Sequence, residues 1–195
     1  MTTAIFAALG YFLGSLPFAV IVSHAFGLAD PRSYGSGNPG ATNVLRSGNK
    51  LAAVLTLIGD AAKGWLAVWL ASRYAGEPAT AAYAGVAAFL GHAFPIFLKF
   101  KGGKGVATAL GVLLALSAIL ALIAAVAWLS VAWLTRYSSL AALVAAIASA
   151  IVGWLLLPDP VVSGCVSAMS LILIWRHQSN IGKLLAGTES KIGAP

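Results

Sequence analysis

Charged residues are scarce in this sequence, and acidic residues are scarcer still. Only 9% of the 195 residues are Asp, Glu, Lys or Arg, and five residues are acidic. A soluble globular domain carries about 25% charged residues, so the composition excludes that class. Cysteine occurs once, at Cys165, which excludes a disulfide within the chain and a metal cluster held by several thiolates.

Hydrophobic residues make up 60% of the chain, and they occur in runs long enough to cross a bilayer. Such runs predict an all-α integral membrane protein, and the length suits a single domain over residues 1–195. The first run has no basic residue ahead of it, so we predict a retained span rather than a cleaved signal peptide. The spans that the apolar runs predict directly cover residues 4–26, 51–74, 79–97, 140–157 and 161–175.

An apolar block over residues 106–134 can cross once or twice. It is too long for one ordinary span of about 17 to 25 residues and short for two. If it turns near Leu116 and Ser117, most basic residues fall on one face, as cytoplasmic loops require. We therefore predict a bundle of seven transmembrane helices, some short, with the N-terminus outside and the C-terminus cytoplasmic. Ten of the twelve Lys and Arg residues then face the cytoplasm: Arg32, Arg46, Lys50, Lys99, Lys101, Lys104, Arg136, Arg176, Lys183 and Lys191.

The first polar segment on this face, residues 35–46, reads GSGNPGATNVLR. Gly35 and Gly37 let its backbone bend freely, successive amide groups in such a loop can bind an anion, and Arg46 adds a planar cation suited to phosphate. The dinucleotide-binding pattern G-x-G-x-x-G also matches, but it needs a soluble α/β unit. We therefore predict a phosphate-binding loop in a different architecture. Its hydrogen-bonding side chains are Ser36, Asn38, Thr42 and Asn43.

The second polar segment, residues 91–108, reads GHAFPIFLKFKGGKGVAT. Its lysines surround Gly102 and Gly103, and a helix is predicted to follow. Because a helix N-terminus is a natural anion site, Lys104, which stands just before it, is a candidate phosphate ligand. His92 lies inside an apolar span, where we predict a structural hydrogen bond rather than catalysis.

The third polar segment, residues 177–189, begins with HQSNI and ends at Glu189. His177 and Asn180 are three residues apart, so they share one face if the helix continues. A histidine beside an anion site is a candidate for proton transfer. A general-base role for this histidine predicts a titration step near neutral pH.

Asp60 and Lys63 are charged residues in the middle of the second span. Charges within a bilayer are costly and usually pair or face a protein interior. Their i, i+3 spacing predicts a structural internal ion pair. A proton or ion path is the alternative.

Two classes of function fit these residues: a membrane transferase that acts on a phosphorylated small molecule, and a transporter of a phosphate-like anion. Transporters usually place their site near the bilayer midplane, at broken helices in paired repeats. Here the anion-binding residues lie at one face and no internal repeat is visible. The pattern therefore favours the enzyme.

The three polar segments resemble the three loop motifs of the bacterial acyl-phosphate:glycerol-3-phosphate acyltransferase family. GDAAKG at residues 59–64 and TRYSSL at residues 135–140 are also similar to segments of that family. The resemblance implies transfer of a fatty acyl group from acyl phosphate to the 1-hydroxyl of sn-glycerol 3-phosphate, giving 1-acyl-sn-glycerol 3-phosphate (lysophosphatidic acid) and inorganic phosphate. This would be the first step of bacterial phospholipid synthesis, catalysed at the cytoplasmic face of the inner membrane, with membrane lipid around the enzyme.

The resemblance also implies roles for individual residues. Ser36, Arg46, His177 and Asn180 are expected to be catalytic, and Glu189 structural. The expected substrate-binding residues are Gly35, Gly37, Asn38, Thr42, Asn43, Gly102, Gly103, Lys104, Arg136 and Ser139. No covalent acyl-enzyme is expected, since the phosphate of an acyl phosphate is already a good leaving group. No cofactor, metal or nucleic acid is expected either.

Overall fold

The computed structural model describes residues 1–193, which form ten α-helices, one 3-10 turn and no strand. The all-α class predicted from the composition is confirmed. The helices are α1 (Thr2–Gly14), α2 (Phe18–Ala25), α3 (Ala41–Leu45), α4 (Lys50–Ala75), α5 (Pro78–Ala93), α6 (Val106–Leu116), α7 (Ala118–Thr135), α8 (Ser138–Leu156), α9 (Pro160–Arg176) and α10 (Gln178–Leu185), with the 3-10 turn at Ile96–Leu98.

Five helical segments within the described range are long and apolar enough to cross a membrane: Thr2–Ala25, Lys50–Ala75, Pro78–Leu98, Ala118–Thr135 and Ser138–Leu156. The pair α9 and α10, bent by 57°, passes the same test together and is a sixth if the two helices count as one span. Helix α6 has 11 residues, so it extends only about 16 Å, roughly half of the hydrocarbon thickness. The protein is therefore a multi-pass membrane bundle, and the count of seven is reached only by including the short α6.

The apolar block over residues 106–134 breaks where the sequence predicts a turn. Ser117 has an extended backbone with φ of −160°, and its side chain accepts the amide N–H of Leu120 at 3.3 Å. This is an ordinary N-cap, which satisfies one of the free amides at the start of α7. The block is therefore two helices.

The first predicted span, over residues 4–26, is confirmed as the apolar segment Thr2–Ala25, which consists of two helices. Pro17 has no amide hydrogen to donate, and the helix is interrupted between α1 and α2. The carbonyl oxygen of Leu16 accepts from Phe18 N at 3.1 Å and from the ammonium of Lys63 at 2.7 Å. A lysine from α4 thus satisfies a carbonyl exposed by the break.

Small residues let the central helices approach closely. Gly10 and Gly14 of α1 lie against the backbone of Ala84 and Ala88 in α5, and a Cβ at either glycine would meet an alanine carbonyl oxygen. Glycine stripes of this kind bring helix backbones together in membranes. In the same way, Gly111 of α6 lies against the backbone of α4. Helices α1, α4, α5 and α6 therefore form a tight centre from which the polar loops emerge.

Candidate functional site

Two cavities meet at one end of the described bundle. The first, which we call the apolar cavity, has a volume of about 660 Å³ and lies between α6, α7, α8 and α9. The second, the basic cavity, has a volume of about 770 Å³. The apolar cavity is lined by residues such as Leu110, Leu113, Trp128, Ala142, Met169 and Leu173. The cations that line the basic cavity are Arg32, Lys101, Lys104, Arg176 and Lys183.

Four polar residues line both cavities: Ser36, Asn38, Lys104 and Asn180. We call this shared region the neck. Each of the three polar segments found in the sequence contributes to it. Arg46, Ser139 and His177 line the apolar cavity beside the neck. The structure therefore brings together residues that are more than 100 positions apart in the chain.

Asn43 organises the first polar segment from within. It is buried, its Oδ1 accepts the amide N–H of Ser36 at 3.0 Å, and its Nδ2 donates to the carbonyl of Pro31 at 2.6 Å. Gly35 has a φ of 57°, and a Cβ there would meet Asn43 Oδ1. The side-chain amide of Asn43, expected to bind substrate, is therefore occupied in shaping the loop that carries Ser36 to the neck.

Two other residues of the first segment face the apolar cavity from α3 and its end. Thr42 Oγ1 lies 3.2 Å from Ser138 Oγ, which joins the first segment to the start of α8. Arg46 follows α3 and is exposed. Its guanidinium is close to Gly35, so the cation and the glycine loop lie together at the neck.

The glycine-lysine loop, residues 101–105, carries the second segment to the neck. Gly103 N donates to the carbonyl of His92 at 3.1 Å, and a Cβ at Gly103 would meet the His92 imidazole. Gly105, at the N-cap of α6, has a φ of 86°, in the region that favours glycine. The loop therefore presents Lys104 at a helix N-terminus.

Lys104 is a perturbed cation. Its ammonium donates to Asn180 Oδ1 at 2.5 Å. Burial lowers the pKa of Lys104 to about 8; nearby Glu189 opposes this shift, whereas Lys183, Arg176 and Arg46 add to it. A bound anion would relieve the repulsion among these cations, so the neck favours an anionic ligand.

His177 stands at the bend between α9 and α10. It is buried, and its Nδ1 lies 2.8 Å from the carbonyl oxygen of Leu173. A carbonyl can only accept, so Nδ1 carries the proton and Nε2 keeps a lone pair. Burial is the main reason that the pKa of His177 falls to about 4. The imidazole is therefore neutral at pH 7, and the step expected near neutral pH moves to about pH 4.

Glu189 connects α8 and α10. Its Oε1 accepts from Ser139 Oγ at 2.6 Å and from Asn180 Nδ2 at 2.7 Å. Asn180 thus links Glu189 to Lys104. Arg136, expected to reach the substrate, is not among the residues that line either cavity. Its guanidinium donates to the carbonyl of Ile192 at 2.8 Å, which ties down the end of the described chain.

Asp60, Lys63 and His92 form a second polar cluster, deeper among the helices. Asp60 Oδ1 lies 2.8 Å from Lys63 Nζ and 3.3 Å from His92 Nδ1. Asp60 and His92 line the apolar cavity. The sequence predicts the contact within α4 from its spacing and a structural hydrogen bond for His92, but it does not identify Asp60 as the group that His92 approaches from α5.

Across residues 1–193, no group of three or more His, Cys, Asp or Glu side chains is arranged to hold a metal ion. The polar groups at the neck are one cation, two amides and a hydroxyl, and beside it lie a second cation, a second hydroxyl and the neutral imidazole of His177. Together they can hold anionic groups close to an apolar chain and accept a proton between them.

Comparison with known proteins gives one consistent result. The family model for glycerol-3-phosphate acyltransferases matches residues 4–187. Glycerol-3-phosphate acyltransferases of Laribacter hongkongensis and Methylobacillus flagellatus are 62% and 60% identical, and each alignment covers 99% of this chain and 98% of the relative.

Two crystal structures of an integral membrane glycerol 3-phosphate acyltransferase, PlsY, share the fold. In its glycerol 3-phosphate form that enzyme superimposes with a TM-score of 0.93 and is 36% identical. In its lysophosphatidic acid form the TM-score is 0.91, at 34% identity. Both alignments cover 99% of this chain and 96% of the other.

Proposed function

This chain belongs to the glycerol-3-phosphate acyltransferase family, and we propose that its acyl donor is acyl phosphate. The acyl group passes to the 1-hydroxyl of sn-glycerol 3-phosphate, and the products are lysophosphatidic acid and inorganic phosphate. The observation that carries this proposal is the meeting of an apolar cavity and a basic cavity at a neck of four polar residues.

The two cavities suit two substrates of opposite character. An acyl chain fits the apolar cavity, whose walls come from membrane helices. A small soluble phosphate ester fits the basic cavity, where cations outnumber acids. Both reactants carry a phosphate, so the cations at the neck offset a repulsion that otherwise keeps the reactants apart. Orientation alone can lower a barrier by roughly 7 to 11 kcal/mol.

We assign the donor phosphate to the first polar segment and Arg46, and the acceptor phosphate to Lys104. The acceptor hydroxyl oxygen attacks the acyl carbon, a new ester C–O bond forms, and the C–O bond to phosphate breaks. The hydroxyl proton passes to Nε2 of His177, or to a substrate phosphate while His177 and Asn180 orient the hydroxyl. The neutral imidazole, with Nδ1 bonded to Leu173, supports the first route.

We further propose that the neck faces the cytoplasm of a bacterial inner membrane, with the N-terminus outside. The support is charge: ten of the twelve basic residues fall in segments on one side of the predicted topology. Lys101, Lys104 and Lys183, which line the basic cavity, are among them. The anion transporter that the sequence left open loses its support, since the family match covers residues 4–187.

The test is phosphate release by purified protein in detergent or lipid mesophase. Acyl phosphate and glycerol 3-phosphate are supplied together and singly, with acyl-CoA as the alternative donor. Release that needs both substrates and fails with acyl-CoA supports the proposal. Turnover with acyl-CoA and none with acyl phosphate would overturn the choice of donor. Lys104→Met, assayed in parallel, controls for phosphate released without the site.

A further inference from the structure

Arg176, the last residue of α9, makes a set of contacts that no role described so far explains. Its Nη2 donates to the carbonyl of Gly102 at 2.9 Å. Its Nε and Nη2 both reach the carbonyl of Gly103, at 3.3 and 3.2 Å. One planar guanidinium therefore holds two successive carbonyls of the glycine-lysine loop.

The opposite side of the loop is held by α5. Gly103 N donates to the carbonyl of His92 at 3.1 Å, and Gly102 packs against the backbone of His92 and Ala93. The loop has no helical hydrogen bonds of its own before α6. At Gly102 and Gly103 its shape therefore depends on α5 on one side and on the guanidinium of Arg176 on the other.

An aromatic ring fixes the direction of the guanidinium. The Phe94 ring centroid lies 5.2 Å from Arg176 Cζ, a cation-π distance. Trp175 supports that ring, with a centroid separation of 6.1 Å. The fork is thus oriented toward the loop by packing on α9 and the end of α5.

We propose that Arg176 is a positioning residue that sets Lys104 opposite His177. Arg176 and His177 are consecutive residues. The same stretch of backbone therefore carries both the imidazole and the guanidinium that is bonded to the glycine-lysine loop. Lys104 in turn bonds Asn180, one helical turn beyond His177. Arg176 therefore fixes the separation between the cation and the proton acceptor. This inference rests on the proposed function for its substrates and for the role of His177 as proton acceptor.

The alternative role for Arg176 is that of a charge that attracts phosphate into the basic cavity, the role expected of Lys183 in the same lining. The two roles predict different results when Arg176 is replaced by lysine. A charge survives replacement by lysine, but a fork that spans two carbonyls does not. Arg176→Lys and Arg176→Gln therefore form a pair, and Lys183→Gln is the matched control for loss of charge.

The experiment measures kcat and KM for glycerol 3-phosphate at saturating acyl phosphate. For Arg176→Lys we expect kcat to fall between about 10-fold and 10²-fold, the loss typical of a group displaced by about 1 Å, with little change in KM. Lys183→Gln should raise KM and keep kcat. Wild-type kcat in Arg176→Lys, with Arg176→Gln behaving as Lys183→Gln does, would overturn the proposal in favour of charge alone.

A double-mutant comparison tests whether the effect of Arg176 depends on Lys104. General destabilisation of the protein would not produce such a dependence. If Arg176 acts through Lys104, Arg176→Lys should cost less activity in a Lys104→Arg background, which keeps a cation at the loop, than it costs in the wild type. If the fold-losses of activity from the two substitutions multiply, Arg176 acts independently of Lys104 and the proposal is overturned. Thermal midpoints and elution profiles in detergent identify any variant that fails to fold.

Phe94→Leu is a second test of the positioning role, because it leaves Arg176 in place and removes only the aromatic ring that contacts its guanidinium. We expect it to lower kcat in the same sense as Arg176→Lys, by a smaller factor. An unchanged kcat in Phe94→Leu counts against an oriented fork. The proposed function is tested separately, because its failure appears as absent turnover in the wild type, whereas failure of the positioning role appears as variants that match an active wild type.

Discussion

Two clusters in the described bundle each combine a lysine with a carboxylate, and they satisfy the lysine differently. Lys63 contacts Asp60 directly at 2.8 Å and donates to a backbone carbonyl, and both side chains are almost fully buried. Lys104 instead reaches Glu189 only through the amide of Asn180. A lysine neutralised by direct contact serves the fold, whereas one whose counterion is an amide away remains able to attract another anion.

The largest expected effect is at His177, which lies near Lys104 rather than near Lys63. His177→Ala should lower kcat by about 10²- to 10⁴-fold, the usual contribution of a general base, with little change in KM. The pKa of His177 is about 4, so in the wild type kcat/KM should fall as pH drops through that value and the base becomes protonated. The measurement is a pH–rate profile of both proteins.

If kcat/KM of His177→Ala still falls near pH 4, that titration belongs to another group, such as a substrate phosphate. If that group is a substrate phosphate, the base lies outside the protein. In that case the role of His177 would reduce to orienting the hydroxyl, and the loss of kcat should be nearer the lower end of the range.

The next effect is on stability, at the deeper cluster. Lys63→Met leaves the carboxylate of Asp60 buried without its cation and should cost about 3 to 5 kcal/mol of unfolding free energy. Adding Asp60→Leu should recover most of the loss, because the remaining pair is apolar. Lys104→Met is the matched control, since the same substitution at the neck should leave stability nearly unchanged and remove activity.

Unfolding in detergent, followed by thermal or denaturant titration, measures these differences. Equal destabilisation by Lys63→Met and Lys104→Met would erase the distinction between the clusters. An active, stable Lys63→Met protein would show that the ion pair is dispensable for the fold.

A smaller effect is expected at the junction between the clusters. Gly103→Ala places a Cβ against the His92 imidazole, so the loop must shift. Overpacking of this kind costs roughly 1 to 3 kcal/mol, and displacement of Lys104 should lower kcat/KM. Gly164→Ala in α9 is the control, because no atom lies within 4 Å of a Cβ there. Full activity in Gly103→Ala would show that the loop tolerates the shift.

The smallest expected effect is a change in pH dependence. Lys104 must be protonated to hold an anion, so activity should fall as pH rises through about 8, the pKa of its ammonium. Glu189→Gln removes a negative charge that attracts the Lys104 ammonium, so the fall in activity should move to lower pH. Lys183→Gln removes a positive charge that repels this ammonium, so the fall should move to higher pH. Shifts in the same direction would contradict the electrostatic picture of the neck.

The sequence predicted the periodic and local features well. Apolar runs predicted the helices, and the length of the 106–134 block together with charge predicted the turn beside Ser117. The glycine-rich motifs predicted which segments carry the polar residues of the cavities. These features depend on spacing along the chain, so they are visible without knowledge of contacts.

Features that depend on distant contacts were not predictable in this way. Asn43 reads as a polar loop residue, but its amide turns inward to Pro31. Arg176 reads as one more basic residue at a membrane face, and only the folded chain places it against Gly102 and Gly103. The break at Pro17 lies in an apolar run long enough to be read as one helix. The carbonyl of Leu16 beside this break accepts from Lys63, 47 positions away.

The walls of the apolar cavity have a further consequence for how an acyl chain is selected. Helices α7 and α8 contribute alanines to it, at Ala124, Ala125, Ala142, Ala145 and Ala146. Alanine has no side-chain rotamers to lose, so these wall positions are ordered before any ligand arrives. At these positions the protein loses no side-chain entropy on binding, and the loss there comes from the flexible ligand. Chain-length preference then becomes a balance between the apolar area that each added methylene buries and the torsional freedom that it gives up.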